Sequence, residues 1–74
     1  MNLTNTQIES LNGLYTDIEL ANISGADEVN INGNGCSAFE VSRCIDAVYD
    51  ILGLTRPVIS KKMVKEYCKE HGID

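Results

Sequence analysis

The stretch Ser37–Leu54, Ser-Ala-Phe-Glu-Val-Ser-Arg-Cys-Ile-Asp-Ala-Val-Tyr-Asp-Ile-Leu-Gly-Leu, decides the fold class. It signals both ends of a helix and the face that the helix buries. Ser37 is a good N-cap, and Glu40 three residues on completes a capping box, in which two backbone N–H groups are satisfied reciprocally. Val41, Cys44, Ile45, Val48 and Leu52 recur at helical spacing, with Ser42, Arg43, Asp46 and Asp50 on the other side. Gly53 stands where a helix ends in left-handed backbone, and Leu54 can make the apolar contact beyond it.

Working outward, residues 5–20 read as a preceding helix. Asn5 or Thr6 can cap it, and Glu9 lies three residues after Thr6. Ile8, Leu11, Tyr15 and Ile18 share one helical face, while Gly13 in the middle costs about 1 kcal/mol of helix propensity. Leu14, Thr16, Ile18 and Leu20 also alternate, so a short strand over 14–20 competes with the end of this helix. Between the two helices, residues 22–36 are rich in Asn and Gly, which tolerate the positive φ of turns. Val29 and Ile31 alternate with polar neighbours there, which predicts a short extended segment pinning the loop to the core.

A third helix follows. Met63, Val64, Tyr67, Cys68 and His71 form its apolar stripe, Lys61, Lys65 and Lys69 recur on another face, and Gly72 with Ile73 beyond it marks the end. Its start has two candidates. Ser60 can cap it, but Lys61 and Lys62 would then sit at the positive end of the helix dipole, unfavourable by roughly 0.3–1 kcal/mol each. Thr55 can cap it instead, with Pro57 in the first turn, where a missing N–H costs nothing. Pro57 also biases Arg56 away from helical backbone. The charge argument favours the start at Thr55.

The chain of 74 residues supports one domain, 1–74, and 43% hydrophobic residues suffice for one core. With one Phe, three Tyr and no Trp, that core must rest on Ile, Leu and Val. A domain of this size buries only about 60% of its unfolded surface, so little structure is left over to enclose a catalytic pocket, and a homodimer would add needed burial. The expected fold is therefore mainly α: a small three-helix domain with an irregular Asn/Gly-rich loop and a short β segment.

Cys36, Cys44 and Cys68 are odd in number and form no CxxC pair, which argues against a zinc knuckle or disulfide framework and for free thiols in a reducing cytoplasm. Cys44 and Cys68 fall on apolar stripes, leaving Cys36 as the expected exposed thiol. No signal-peptide pattern and no apolar run of membrane-spanning length occurs in the sequence, so no membrane partner is expected.

Residues 47–63, Ala-Val-Tyr-Asp-Ile-Leu-Gly-Leu-Thr-Arg-Pro-Val-Ile-Ser-Lys-Lys-Met, resemble the helix-turn-helix unit of DNA-binding proteins. Leu52 ends the first helix of the pair, Gly53 turns, Leu54 plugs, Thr55-Arg56 opens the second helix and Ile59 takes its buried position. The chain departs from the family's pattern at Tyr49, where a small residue is usual, and at Lys62, where an apolar residue is common. The resemblance implies a transcription regulator whose second helix enters the major groove of duplex DNA. Thr55, Arg56, Ser60 and Lys61 would meet base edges, and Lys65 and Lys69 would neutralise phosphate.

Charge points elsewhere. The formal net charge is −5, and residues 1–42 contain Glu9, Asp17, Glu19, Asp27, Glu28 and Glu40 but no Lys or Arg. With a pI near 4.6, the chain's own field repels DNA at long range. A carboxylate patch built from Glu9, Asp17, Glu19, Asp27 and Glu28 can imitate phosphates and occupy the basic groove of a nucleic-acid-binding protein. Small inhibitors from phages and mobile elements, including those that block host defence, have this character, although no motif here assigns a family.

Other chemistries are poorly served. Glu28-Val-Asn30-Ile-Asn32-Gly33 begins like a calcium loop, but position 12 of that frame is Phe39, where a bidentate Glu closes the site. Cys36-Ser37-Ala38 lacks the Asp-Ser-Leu attachment motif of acyl carrier proteins. The single histidine, His71, lies in the last turn of the last helix, where it suits the helix dipole better than general-base work. No nucleophile has an evident base, and no glycine-rich phosphate loop is present. A non-enzymatic binding protein without metal or cofactor is the expectation.

Overall fold

The computed structural model describes residues 2–72, which form α1 (Asn5–Ile23), β1 (Glu28–Ile31), β2 (Asn34–Ser37), α2 (Ala38–Leu52) and α3 (Lys61–Glu70). The domain is mainly α, with the two strands paired as an antiparallel hairpin.

Helix α1 starts at residue 5 as expected, but it is capped by an earlier residue and ends later than the sequence suggests. Thr4, not Asn5 or Thr6, is the N-cap: its Oγ1 accepts from the Gln7 N–H at 3.2 Å, and Gln7 Oε1 accepts from the Thr4 N–H at 2.9 Å. Thr4-x-x-Gln7 and Thr6-x-x-Glu9 both have the capping-box pattern, and the structure uses the earlier one, which adds residues to the helix. At the other end Leu20 and Ala21 are buried, which extends the helix past residue 20 and rules out the competing strand. The Ala26 N–H then bonds the Ala21 carbonyl at 2.9 Å and the Gly25 N–H that of Asn22 at 3.2 Å, the Schellman pattern that closes a helix.

The hairpin grows from Asn32-Gly33. Both residues have positive φ, 52° and 82°, as the type I′ turn of a two-residue hairpin requires. Asn30 Oδ1 accepts from the Gly33 N–H at 2.9 Å, so an oxygen of the calcium-like stretch serves the turn. Val29 and Ile31 are half-buried between exposed Glu28 and Asn30, and Ile31 packs on the core. The expected extended segment is therefore present, with Asn34–Ser37 as its partner strand.

Helix α2 is capped by Ser37, whose Oγ accepts from the Glu40 N–H. Its buried face differs from the predicted stripe. Ala38, Ser42, Ile45 and Tyr49 are buried, Val41 and Leu52 are half-buried, and Cys44 and Val48 are exposed. The helix is turned by less than a quarter of a revolution because two polar tips find partners inside. Tyr49 Oη donates to Asn12 Oδ1 at 2.6 Å, and Ser42 Oγ donates to Glu19 Oε1. A stripe chosen by apolarity alone ranks Ser42 and Tyr49 too low. Gly53 (φ 66°, ψ 29°) ends the helix, and the Leu54 N–H bonds the Tyr49 carbonyl at 3.0 Å.

Helix α3 starts at Lys61 with Ser60 as N-cap, its Oγ accepting from the Met63 N–H at 3.2 Å. The start at Thr55 is thereby corrected. Thr55–Ile59 is not helical: Arg56, displaced from helical backbone by Pro57, is tied back to α2, and Ile59 reaches the core from extended chain. These contacts outweigh the unfavourable placement of Lys61 and Lys62 near the helix start. Gly72 follows α3 with φ 67°, and Ile73 lies outside the described residues.

The core is the α1–α2 seam. Tyr15, Ile18, Ile45 and Tyr49 are its buried centre, with Leu11, Ile31, Val41, Leu54 and Ile59 around them. Tyr15 and Tyr49 meet edge-on with ring centroids 4.8 Å apart. Helix α3 packs on α1 and contributes no fully buried residue.

Candidate functional site

The residues of the helix-turn-helix resemblance are not brought together. No α-carbon of α3 lies within 8 Å of one in α2, so the two helices do not form the packed pair that would present a recognition helix. Thr55 is exposed in irregular chain, and Ser60 is spent on the cap of α3. Arg56 is held by α2: its Nε donates to the Asp46 carboxylate, and its terminal Nη2 donates to Asp50 Oδ1 at 2.6 Å and to the Asp46 carbonyl at 3.0 Å. Its hydrogen bonds to Asp46 and then Asp50 push its pKa up, and the guanidinium, charged at every working pH, is committed to these contacts. Lys61, Lys65 and Lys69 are exposed on α3, with Lys62 on the same outward face.

The acidic residues divide differently. Glu9, Asp17, Asp27 and Glu28 are exposed, whereas Glu19 is half-buried and occupied with Ser42. Asp17 lines an open groove of about 420 Å³ that Glu28 also borders, although the Glu28 carboxylate lies over Gly35 on the β2 side of the hairpin. Helix α1 supplies Leu14, Asp17 and Ile18 to it, strand β1 lines it from Glu28 to Ile31, and α3 closes it with Tyr67 and His71. The Tyr67 and His71 rings lie over each other, centroids 4.1 Å apart. The groove is lined mainly by apolar side chains, with the exposed carboxylate of Asp17 and no lysine or arginine among its lining residues. Glu9 is not part of it. Such a groove suits an elongated ligand with apolar and cationic groups; Asp17 would face the cations.

Sequence reasoning missed the groove because its parts come from three elements distant along the chain. One local signal was available: Asn-Gly flanked by alternating residues is a strong hairpin sign. The weak strand residues Asn34 and Gly35 masked the second strand.

The thiols also rearrange. Cys44 is exposed on the outer face of α2, while Cys36 is half-buried, so Cys36 is not the only accessible thiol. Cys68 is half-buried and donates to Ser24 Oγ at 3.4 Å, joining α3 to the end of α1. Among the described residues no helix is long and apolar enough to cross a membrane.

Comparison with known proteins finds no family model, no curated protein and no solved structure that matches this chain.

Proposed function

We propose that this chain is a non-enzymatic binding protein that engages a basic surface of another protein, of the kind that ordinarily holds nucleic acid, and so acts as an inhibitor. The observation that carries this reading is the groove lined by Asp17, with no lysine or arginine among its lining residues and the Glu28 carboxylate on the adjoining hairpin surface. Its α1 and β1 walls come from the stretch 1–42, which carries no Lys or Arg. Charge complementarity of this kind speeds encounter and selects partners. The test is capture of proteins from host lysate by the wild type and by a variant carrying Asp17→Lys and Glu28→Lys, with and without nuclease. The expected result is capture that survives nuclease and falls about tenfold or more in the variant. Equal capture by the variant, or capture lost with nuclease, refutes the reading.

A second reading, DNA binding by a regulator, draws on Lys61, Lys62, Lys65 and Lys69 on the outward face of α3. Phosphate contacts from such a face position a protein without reading sequence. Mobility shift of duplex DNA at low salt, with Lys65→Glu plus Lys69→Glu as the control, decides it. A shift that the control abolishes supports DNA binding; no shift, or an equal shift by the control, removes it.

A further inference from the structure

We infer that the groove takes an extended, basic segment of a partner protein, which adds to the free edge of β1 as a third strand. This rests on the protein-binding reading above and names the form of the partner.

Side chains on a strand alternate between its two faces. A groove lined by four consecutive residues, Glu28 to Ile31, therefore runs along the strand's edge, where backbone groups point. The register settles which groups these are. Ile31 and Asn34 flank the two-residue turn and exchange hydrogen bonds with each other, and bonded pairs then alternate with unbonded ones. Val29 with Cys36 is the next bonded pair, and the Ala38 N–H to Asp27 carbonyl bond at 2.9 Å continues the same phase. Glu28 and Asn30 consequently turn their N–H and C=O away from β2, and among the described residues these groups have no backbone partner outside the hairpin. Two donors and two acceptors spaced along an open edge form a template for an added strand.

The walls select the occupant. Apolar Leu14, Ile18 and Tyr67 accept alternate side chains of an extended segment, and Asp17, in a chain of net charge −5, favours Lys or Arg at the positions between. A second copy of this chain carries the same net charge of −5, so the approach of two copies is opposed by like charge where a basic segment is attracted.

The test uses the full chain, labelled with nitrogen-15, and three synthetic hexapeptides: Lys-Val-Lys-Val-Lys-Val, the same sequence methylated at every backbone nitrogen, and its Glu-Val counterpart. Methylation removes the peptide's donors, so the question is put without altering the protein. The Lys-Val peptide is expected to shift the Glu28 and Asn30 amide resonances and to slow their hydrogen exchange about tenfold at saturation. The methylated and Glu-Val peptides should bind at least about tenfold more weakly. Equal binding of the methylated peptide, or shifts confined to α2 and α3, overturns edge pairing and leaves the charge-based reading standing. Equal binding of the Glu-Val peptide overturns the charge-based reading itself. No binding by any of the three overturns the inference.

Discussion

Tyr49 is the largest fully buried side chain, and its two ends are held by different forces. The ring packs edge-on against Tyr15, and the hydroxyl donates to Asn12 across the α1–α2 seam. Removing only the hydroxyl in Tyr49→Phe should lower stability by about 1 kcal/mol, the typical net worth of one hydrogen bond. Tyr49→Ala should cost about 3–5 kcal/mol through lost burial and a cavity, a large share of what a small domain possesses. Urea titrations followed by circular dichroism compare the two, and equal midpoints would show that the packing is not as described. The same burial raises the pKa of Tyr15 and of Tyr49, reinforced at Tyr15 by Glu19 and Asp46 and at Tyr49 by Tyr15. The unfolded chain releases these protons near pH 10 while the folded one retains them, so unfolding free energy should fall as pH rises through and above about 10. Ultraviolet titration of the folded protein should accordingly find two tyrosines ionising later than the free side chain.

Helix ends distinguish the two possible starts of α3. Ser60 makes the cap and Thr55 makes none, so Ser60→Ala should cost about 0.5–2 kcal/mol whereas Thr55→Ala should stay within about 0.5 kcal/mol. The reverse order in thermal melts would restore a helix beginning at Thr55. In α1, Gly13 is exposed in mid-helix and an added Cβ would meet nothing within 4 Å. Gly13→Ala should therefore stabilise by about 0.5–1 kcal/mol, read as a higher melting temperature. Boundaries at this scale were legible where a residue's role is local. Ser37, Gly53 and the Asn32-Gly33 turn behave as their chemistry dictates. The start of α3 was not legible, because it depends on Arg56 finding Asp46 and Asp50 on another element.

The whole molecule is a tightly packed α1–α2 seam with a hairpin at one end and a lightly attached third helix. Half-buried Met63, Val64, Tyr67 and Cys68 are the most enclosed residues that α3 offers, against a buried cluster shared by α1 and α2. Native-state hydrogen exchange should show α3 opening at lower free energy than α1 and α2, as a separate local unit. Uniform protection of all three helices would mean a single cooperative domain. Tyr67 of α3 and its C-cap His71 form one wall of the groove, and neither belongs to the buried core cluster.

What the sequence determined by itself are the features set by neighbours along the chain. These are the helical class, the caps at Ser37 and Gly53, the alternation of Val29 and Ile31, and a charge distribution that leaves residues 1–42 without a cation. Only the tertiary structure decided which face of α2 is buried, because Ser42 and Tyr49 become core residues when Glu19 and Asn12 meet their hydroxyls. Only the tertiary structure turned residues 55–60 from a candidate recognition helix into a strap held by Arg56 and Ile59. It alone set Asp17 beside a groove that runs along the free edge of β1. The physical reason is common to all three. Caps and turns are satisfied within a few residues, whereas burial of polar groups, ion pairing and groove formation depend on partners that only the folded chain brings near.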